Sequence, residues 1–237
     1  MKRLPHTPSW LPMSLHLAHG LIAGGVGYMA AYAAVIYTAS EPGSTRSMVA
    51  ILVSGGLIIF ELAFFAYLIL RRRRMRRLWA DASTMIKAEQ WDGARYTLSE
   101  LLKYSEYKLA PAPVLFALGS VAEGQGNERE AMVLYRRCGD FPAALRAMGL
   151  LQLERGLNES AADALRKLVA RRPQDVFSTV LLALALFRSG SQEASRRVLE
   201  RALEARPKSE MLRVNLSRVE LGEEPVFELG AKGDLKE

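Results

Sequence analysis

The apolar positions of this 237-residue chain follow two regimes. From Leu17 to Ala39 and from Met48 to Leu70 they run almost unbroken for 23 residues each. The first run lacks Asp, Glu, Lys and Arg, and the second carries Glu61 alone. At 1.5 Å per helical residue, either run reaches roughly 35 Å, enough to cross a bilayer core. Between them, Ser40–Ser47 contains Pro42 and Gly43, a reversal signal. This segment, residues 17–70, is predicted to form a transmembrane hairpin. From Leu78 onward the apolar residues recur instead at three- and four-residue spacing, which predicts amphipathic helices and an all-α chain.

Within this second regime the pattern repeats. Gly156, Leu165 and Pro173 return as Gly190, Leu199 and Pro207, each 34 residues later, and Gly149/Ala183 and Ala161/Ser195 share the interval. A period of this length marks a helix-turn-helix repeat. The residues resemble the tetratricopeptide repeat (TPR), which places a small residue in the first helix, Gly near the turn, Ala in the second helix and Pro at the exit. Four pairs are predicted. The last spans roughly Val176–Ser209, with Ser195 in place of the expected Ala, and the one before it Pro142–Asp175. A third, marked by Gly119, Ala122, Gly126, Ala131 and Tyr135, is about four residues short and ends at Cys138–Phe141. The first contains Ala82, Met85, Ala94, Leu98 and Leu101, with Trp91–Gly93 at its turn. Met211–Leu221 reads as a capping helix that closes repeats 78–221, and the polar residues 222–237 read as a frayed tail.

The net charge of +7 is concentrated in one place. Arg71, Arg72, Arg73, Arg74, Arg76 and Arg77 follow the second apolar run directly, so the basic balance does not read as a nucleic-acid signature. Such a block is held on the cytoplasmic side of a membrane, and Lys2 and Arg3 agree. Residues 1–16, the Arg-rich segment 71–77 and the repeats are therefore expected in the cytoplasm, beneath a bacterial inner membrane. The arginines fit a stop-transfer anchor among lipid headgroups or a specific anionic-lipid site. Reading the first run as a cleaved signal peptide, with Ala31–Ala33 as the cleavage site, requires an apolar region longer than such peptides use.

Small residues stripe the first run: Gly20 and Gly24, then Ala23, Gly27 and Ala31. They allow close helix approach, either to the second run or to another membrane protein. Glu61, near mid-span, needs neutralisation or a partner. In an antiparallel hairpin it falls opposite Val26–Tyr28, so the Tyr28 hydroxyl and the open backbone around Gly24 are candidates.

Catalytic chemistry is not expected. His6, His16 and His19 precede the repeats, the lone Cys138 suits packing, and no metal-ligand or cofactor motif is present. In TPR proteins the first helices line a concave groove. The resemblance assigns Phe116, Ser120, Arg146, Leu150, Phe177, Val180, Leu184 and Phe187 to it, an apolar set suited to an extended or helical partner segment. The alternative is that these residues simply pack against one another. The Lys/Asn pattern of chaperone-type carboxylate clamps is absent. Two spans, a basic segment and cytoplasmic repeats also resemble the N-terminal part of HemY-type inner-membrane proteins, which implies a link to haem biosynthesis; any haem ligand would be His16 or His19. The sequence thus predicts a membrane-anchored scaffold or assembly factor. The alternatives are an accessory subunit of a membrane enzyme or transporter acting through its hairpin, and a haem-pathway protein.

Overall fold

A computed structural model describes Gly27, residues 45–104 and residues 111–227. Every regular element among them is an α-helix: α1 Thr45–Lys87, α2 Trp91–Leu102, α3 Ala112–Gly124, α4 Glu128–Arg137, α5 Pro142–Glu154, α6 Asn158–Arg171, α7 Val176–Arg188, α8 Gln192–Ala205 and α9 Glu210–Glu220. The chain divides into two units at Thr84/Met85.

The first unit is dominated by α1, a helix of 43 residues that passes through the arginine block without a break. Segment 71–77 is therefore a stretch of helix. Among the described residues no helix is long and apolar enough to cross a membrane. Of the run Met48–Leu70, side chains are described only at Gly55, Gly56 and from Ile58 onward. The first expected span, apart from Gly27, lies outside the described residues.

The second unit is a row of helix pairs: α3 packs on α4, α5 on α6 and α7 on α8, each pair stacks on the next, and α9 covers α8 and α7. A shared turn produces the pairing. At Gly126, Gly156 and Gly190 φ is 76°, 71° and 81°, a left-handed backbone that closes the first helix. The following amide donates back across the turn, Asn127 to Ala122 O (2.8 Å), Leu157 to Gln152 O (2.8 Å) and Ser191 to Leu186 O (2.9 Å), satisfying carbonyls that a helix end leaves open. The same bond, Glu223 to Arg218 O at 2.8 Å, ends α9 at Gly222.

In the first pair this position is held by Glu89, at φ 57°, with Gln90 N donating to Met85 O at 2.9 Å. The expected turn at Trp91–Gly93 is thus displaced: those residues open α2. Gly93 serves packing instead, since a Cβ there would lie 3.2 Å from Met85 Sδ. The shortness of the third pattern resides in its second helix, since α4 has 10 residues where α6 and α8 have 14.

Inside each pair a small residue of the first helix receives a large one from the second. Gly119 faces Tyr135 and Gly149 faces Leu165, with less than 3 Å between the large side chain and a Cβ built on either glycine. In the last pair Ala183 and Leu199 are fully buried in one cluster. Ser195, in place of the expected Ala, is fully buried and donates its hydroxyl to Ala183 O at 2.8 Å, so this pair is both packed and hydrogen-bonded. Cys138 is buried as expected, its thiol donating to Ala112 O (3.3 Å) and Leu134 O (3.2 Å), and burial pushes its pKa up to about 12.

Candidate partner-binding groove

Successive first helices approach one another, α5 on α7 and α7 on α9, so their residues form one continuous face of the array. The structure separates the groove residues expected from sequence into two sets. Val180 is fully buried, Leu184 nearly so, and Phe116 is wedged between Tyr135 and Phe141, with ring centroids 5.5 and 5.9 Å away. These three belong to the core and not to a lining, because α7 is buried without interruption from Ser178 to Leu186 and α3 from Pro113 to Ala117. Ser120, half-buried, lies 3.3 Å from the Tyr135 hydroxyl, which donates to Glu123 at 2.7 Å. Burial, first of all, raises the Tyr135 pKa and keeps the phenol protonated.

Arg146, Leu150, Phe177 and Phe187 are half-buried and remain available at the surface. Arg146 is held in place by an ion pair with Asp175 and by a bond from Nε to Ser178 Oγ at 3.2 Å. Asp175 is itself the N-cap of α7, accepting from Ser178 N at 3.1 Å. The Arg146 guanidinium then sits 5.8 Å from the centre of the Phe177 ring, a cation–π distance.

On the other side of Phe177 lies the chain's own C-terminal segment. Residues 222–227, the first part of the segment read from sequence as a tail, turn at Gly222 and run back over α9 and α7. Arg188 holds the Glu224 carboxylate at 3.0 Å while Arg218 Nε donates to the Glu224 carbonyl at 2.8 Å. Pro225 is buried. Asn215, fully buried in α9, grips Val226 through both backbone groups: Val226 N donates to Asn215 Oδ1 at 2.6 Å, and Asn215 Nδ2 donates to Val226 O at 2.9 Å. Phe227 meets Phe177 edge-on, with ring centroids 6.0 Å apart and an interplanar angle of 89°. An amide side chain paired with both the N–H and the C=O of one residue reads extended backbone and not a particular side chain.

Asn215, Val226, Phe227 and Arg188 were not singled out from sequence. A signal was present for three of them. Asn215 is the polar residue on the stripe Leu212, Leu216, Val219, and Val226–Phe227 is an apolar pair inside a polar tail. Residues 228–237 lie outside the described residues.

Of the proposed membrane contacts, Gly20, Gly24 and Tyr28 also lie outside the described residues. Gly27 and Glu61 are described, and a Cβ built on Gly27 would lie 3.1 Å from Glu61 Oε1. In the arginine block, Arg73, Arg74, Arg76 and Arg77 are exposed and Arg71 and Arg72 half-buried.

No family model matches the chain. No curated protein matches it either. The solved structures it is similar to include several of MamA. One, described as "MamA MSR-1 C2", is 18% identical with a TM-score of 0.47, over 62% of this chain and 84% of that one. Another, described as a crystal structure of MamA protein, is 15% identical with a TM-score of 0.48, over 78% of this chain and 94% of that one.

Proposed function

We propose that this chain is a membrane-anchored scaffold whose TPR-like array recruits a protein partner to a bacterial inner-membrane complex, with the array on the cytoplasmic side and no catalytic step of its own. The observation that carries the reading is the seating of residues 224–227 on the first-helix face, where Arg188, Arg218, Asn215 and Phe177 hold an extended piece of polypeptide. A surface that grips backbone and one aromatic side chain suits peptide recognition and offers no nucleophile or general base poised for reaction.

The anchoring part rests on α1. Ile58, Ile59, Phe60, Leu62, Phe64, Tyr67, Ile69 and Leu70 are all exposed. At 100° per residue they cover roughly two-thirds of the helix circumference, wider than one packing face, while Glu61, Phe65 and Leu68 form the remaining half-buried stripe. A helix apolar over so wide a surface calls for an apolar medium. The arginines that follow suit the headgroup layer. The approach of Gly27 to Glu61 favours pairing between the two apolar runs, and it also supports a second reading in which the hairpin, through Glu61, contacts another membrane protein.

Affinity capture from mild detergent separates the readings. Leu150→Glu and Phe187→Glu, each checked for helicity by circular dichroism, should lose the partner that the unmodified chain retains, while Glu61→Gln keeps it. The reverse pattern moves recognition into the hairpin and contradicts the scaffold reading.

A further inference from the structure

The tail segment occupies its site with more specificity than a chain end covering an apolar patch requires. Four independent contacts fix it in one register: the Glu224 carboxylate on Arg188, the Glu224 carbonyl on Arg218, both backbone groups of Val226 on Asn215, and the Phe227 ring on Phe177. With the tail seated Asn215 is fully buried, and there its amide is satisfied by both backbone groups of Val226, as a buried amide must be. Its remaining bond runs from Nδ2 to Met211 O at 2.8 Å. Beyond Phe227, the Arg146–Phe177 pair continues the same face along α5 and α7.

We propose that this is a binding site for an extended partner segment that carries an acidic residue three positions before an aromatic one with an aliphatic residue between them, and that residues 224–227 are its occupant in cis, which the partner displaces. The proposal rests on the scaffold reading above and specifies its ligand. The chemistry follows from the lining. Arg188 and Arg218 select the carboxylate and its carbonyl, Asn215 demands an extended residue with a free N–H, and Phe177 beneath Arg146 takes the aromatic edge. Cis occupancy makes the site a gate, because a tethered segment competes at high effective concentration and only a tighter or multivalent ligand opens it.

The test uses the full chain in mild detergent and a fluorescent peptide of residues 223–229, Glu-Glu-Pro-Val-Phe-Glu-Leu, read by anisotropy. Val226→Pro removes the N–H that Asn215 accepts and frees the tail, so this variant should bind the peptide at least tenfold more tightly than the unmodified chain. Arg188→Glu in the Val226→Pro background, a surface change that leaves the core intact, should remove the gain; Asn215→Ala should do the same if the variant stays folded. Equal binding by Val226→Pro and the unmodified chain overturns cis occupancy, and no binding by Val226→Pro overturns the ligand class. An unmodified chain that is a dimer and becomes monomeric on Val226→Pro would assign the site to the tail of a second copy and overturn the proposal too. None of these failures touches partner capture through Leu150 and Phe187, which is measured separately.

Discussion

Leu165 of the second helix packs directly onto Gly149 of the first: a methyl group placed on Gly149 would lie 2.6 Å from Leu165 Cγ. Leu165 is fully buried, so it cannot swing aside without disturbing the cluster around it. Gly149→Ala gains up to about 1 kcal/mol of helix propensity but overpacks the site at about 1–3 kcal/mol. The variant should therefore lose roughly 1–2 kcal/mol in denaturant unfolding. The double variant Gly149→Ala, Leu165→Ala should be less destabilised than the sum of the two single changes, since truncating Leu165 vacates the room that the added methyl group fills.

The turn between helices makes a prediction with two signs. Glu89 holds the left-handed conformation that Gly156 and Gly190 hold elsewhere. For a residue with a Cβ this costs roughly 1–2 kcal/mol. Glu89→Gly should raise stability by roughly 0.5–1 kcal/mol, and Gly190→Ala should lower it by roughly 1–2 kcal/mol. Thermal melts of the two variants should move in opposite directions.

What was legible in the sequence follows from what a repeat must do locally. The 34-residue interval located the turns at Gly156 and Gly190 because only glycine adopts that backbone without strain, and it set Gly149 and Ala183 at the small position of their first helices, where the structure seats Leu165 and Leu199. The first turn lies at Glu89 and not at Trp91–Gly93, because there the chain adopts the left-handed backbone without glycine and uses Gly93 for contact with Met85. The groove was legible only in part. Periodicity identifies first-helix residues, but α7 is packed on nearly every side, so Val180 and Leu184 fall in the core while Phe177 and Phe187 reach the surface. The tail was missed because its contacts join Val226 to Asn215 and Phe227 to Phe177, pairings that no periodic pattern encodes.

The single thiol offers a chemical readout. Burial raises the Cys138 pKa to about 12, well above the ordinary value of about 8.5. Native protein at pH 8 should react with iodoacetamide at least tenfold more slowly than the unfolded chain. Because the folded pKa is the higher one, the stabilisation linked to this proton is full below the unfolded pKa and is lost as pH rises from about 9 toward 12. Rapid native labelling at pH 8 would contradict the buried placement.

Two arginine–aspartate pairs should differ in worth. Asp175 caps α7 and orients Arg146 over Phe177, whereas Asp140 meets Arg171 at 2.5 Å with both side chains more than half exposed. Asp175→Ala should cost about 1–2 kcal/mol through the lost cap. Asp140→Ala should cost less than about 1 kcal/mol, as exposed pairs do. Equal effects of the two changes in urea unfolding would argue against the capping role.

We assign recognition of the partner to the first-helix face of the array. Site-specific photo-crosslinking in native membranes tests it most directly, with a benzophenone side chain placed singly at Leu150 on that face, at Arg166 on the exposed side of α6, or at Phe64 in the apolar part of α1. Leu150 should give one protein adduct, and Arg166 and Phe64 none of that mass. The same adduct from Phe64 and not from Leu150 would place recognition in the membrane helix and contradict the account.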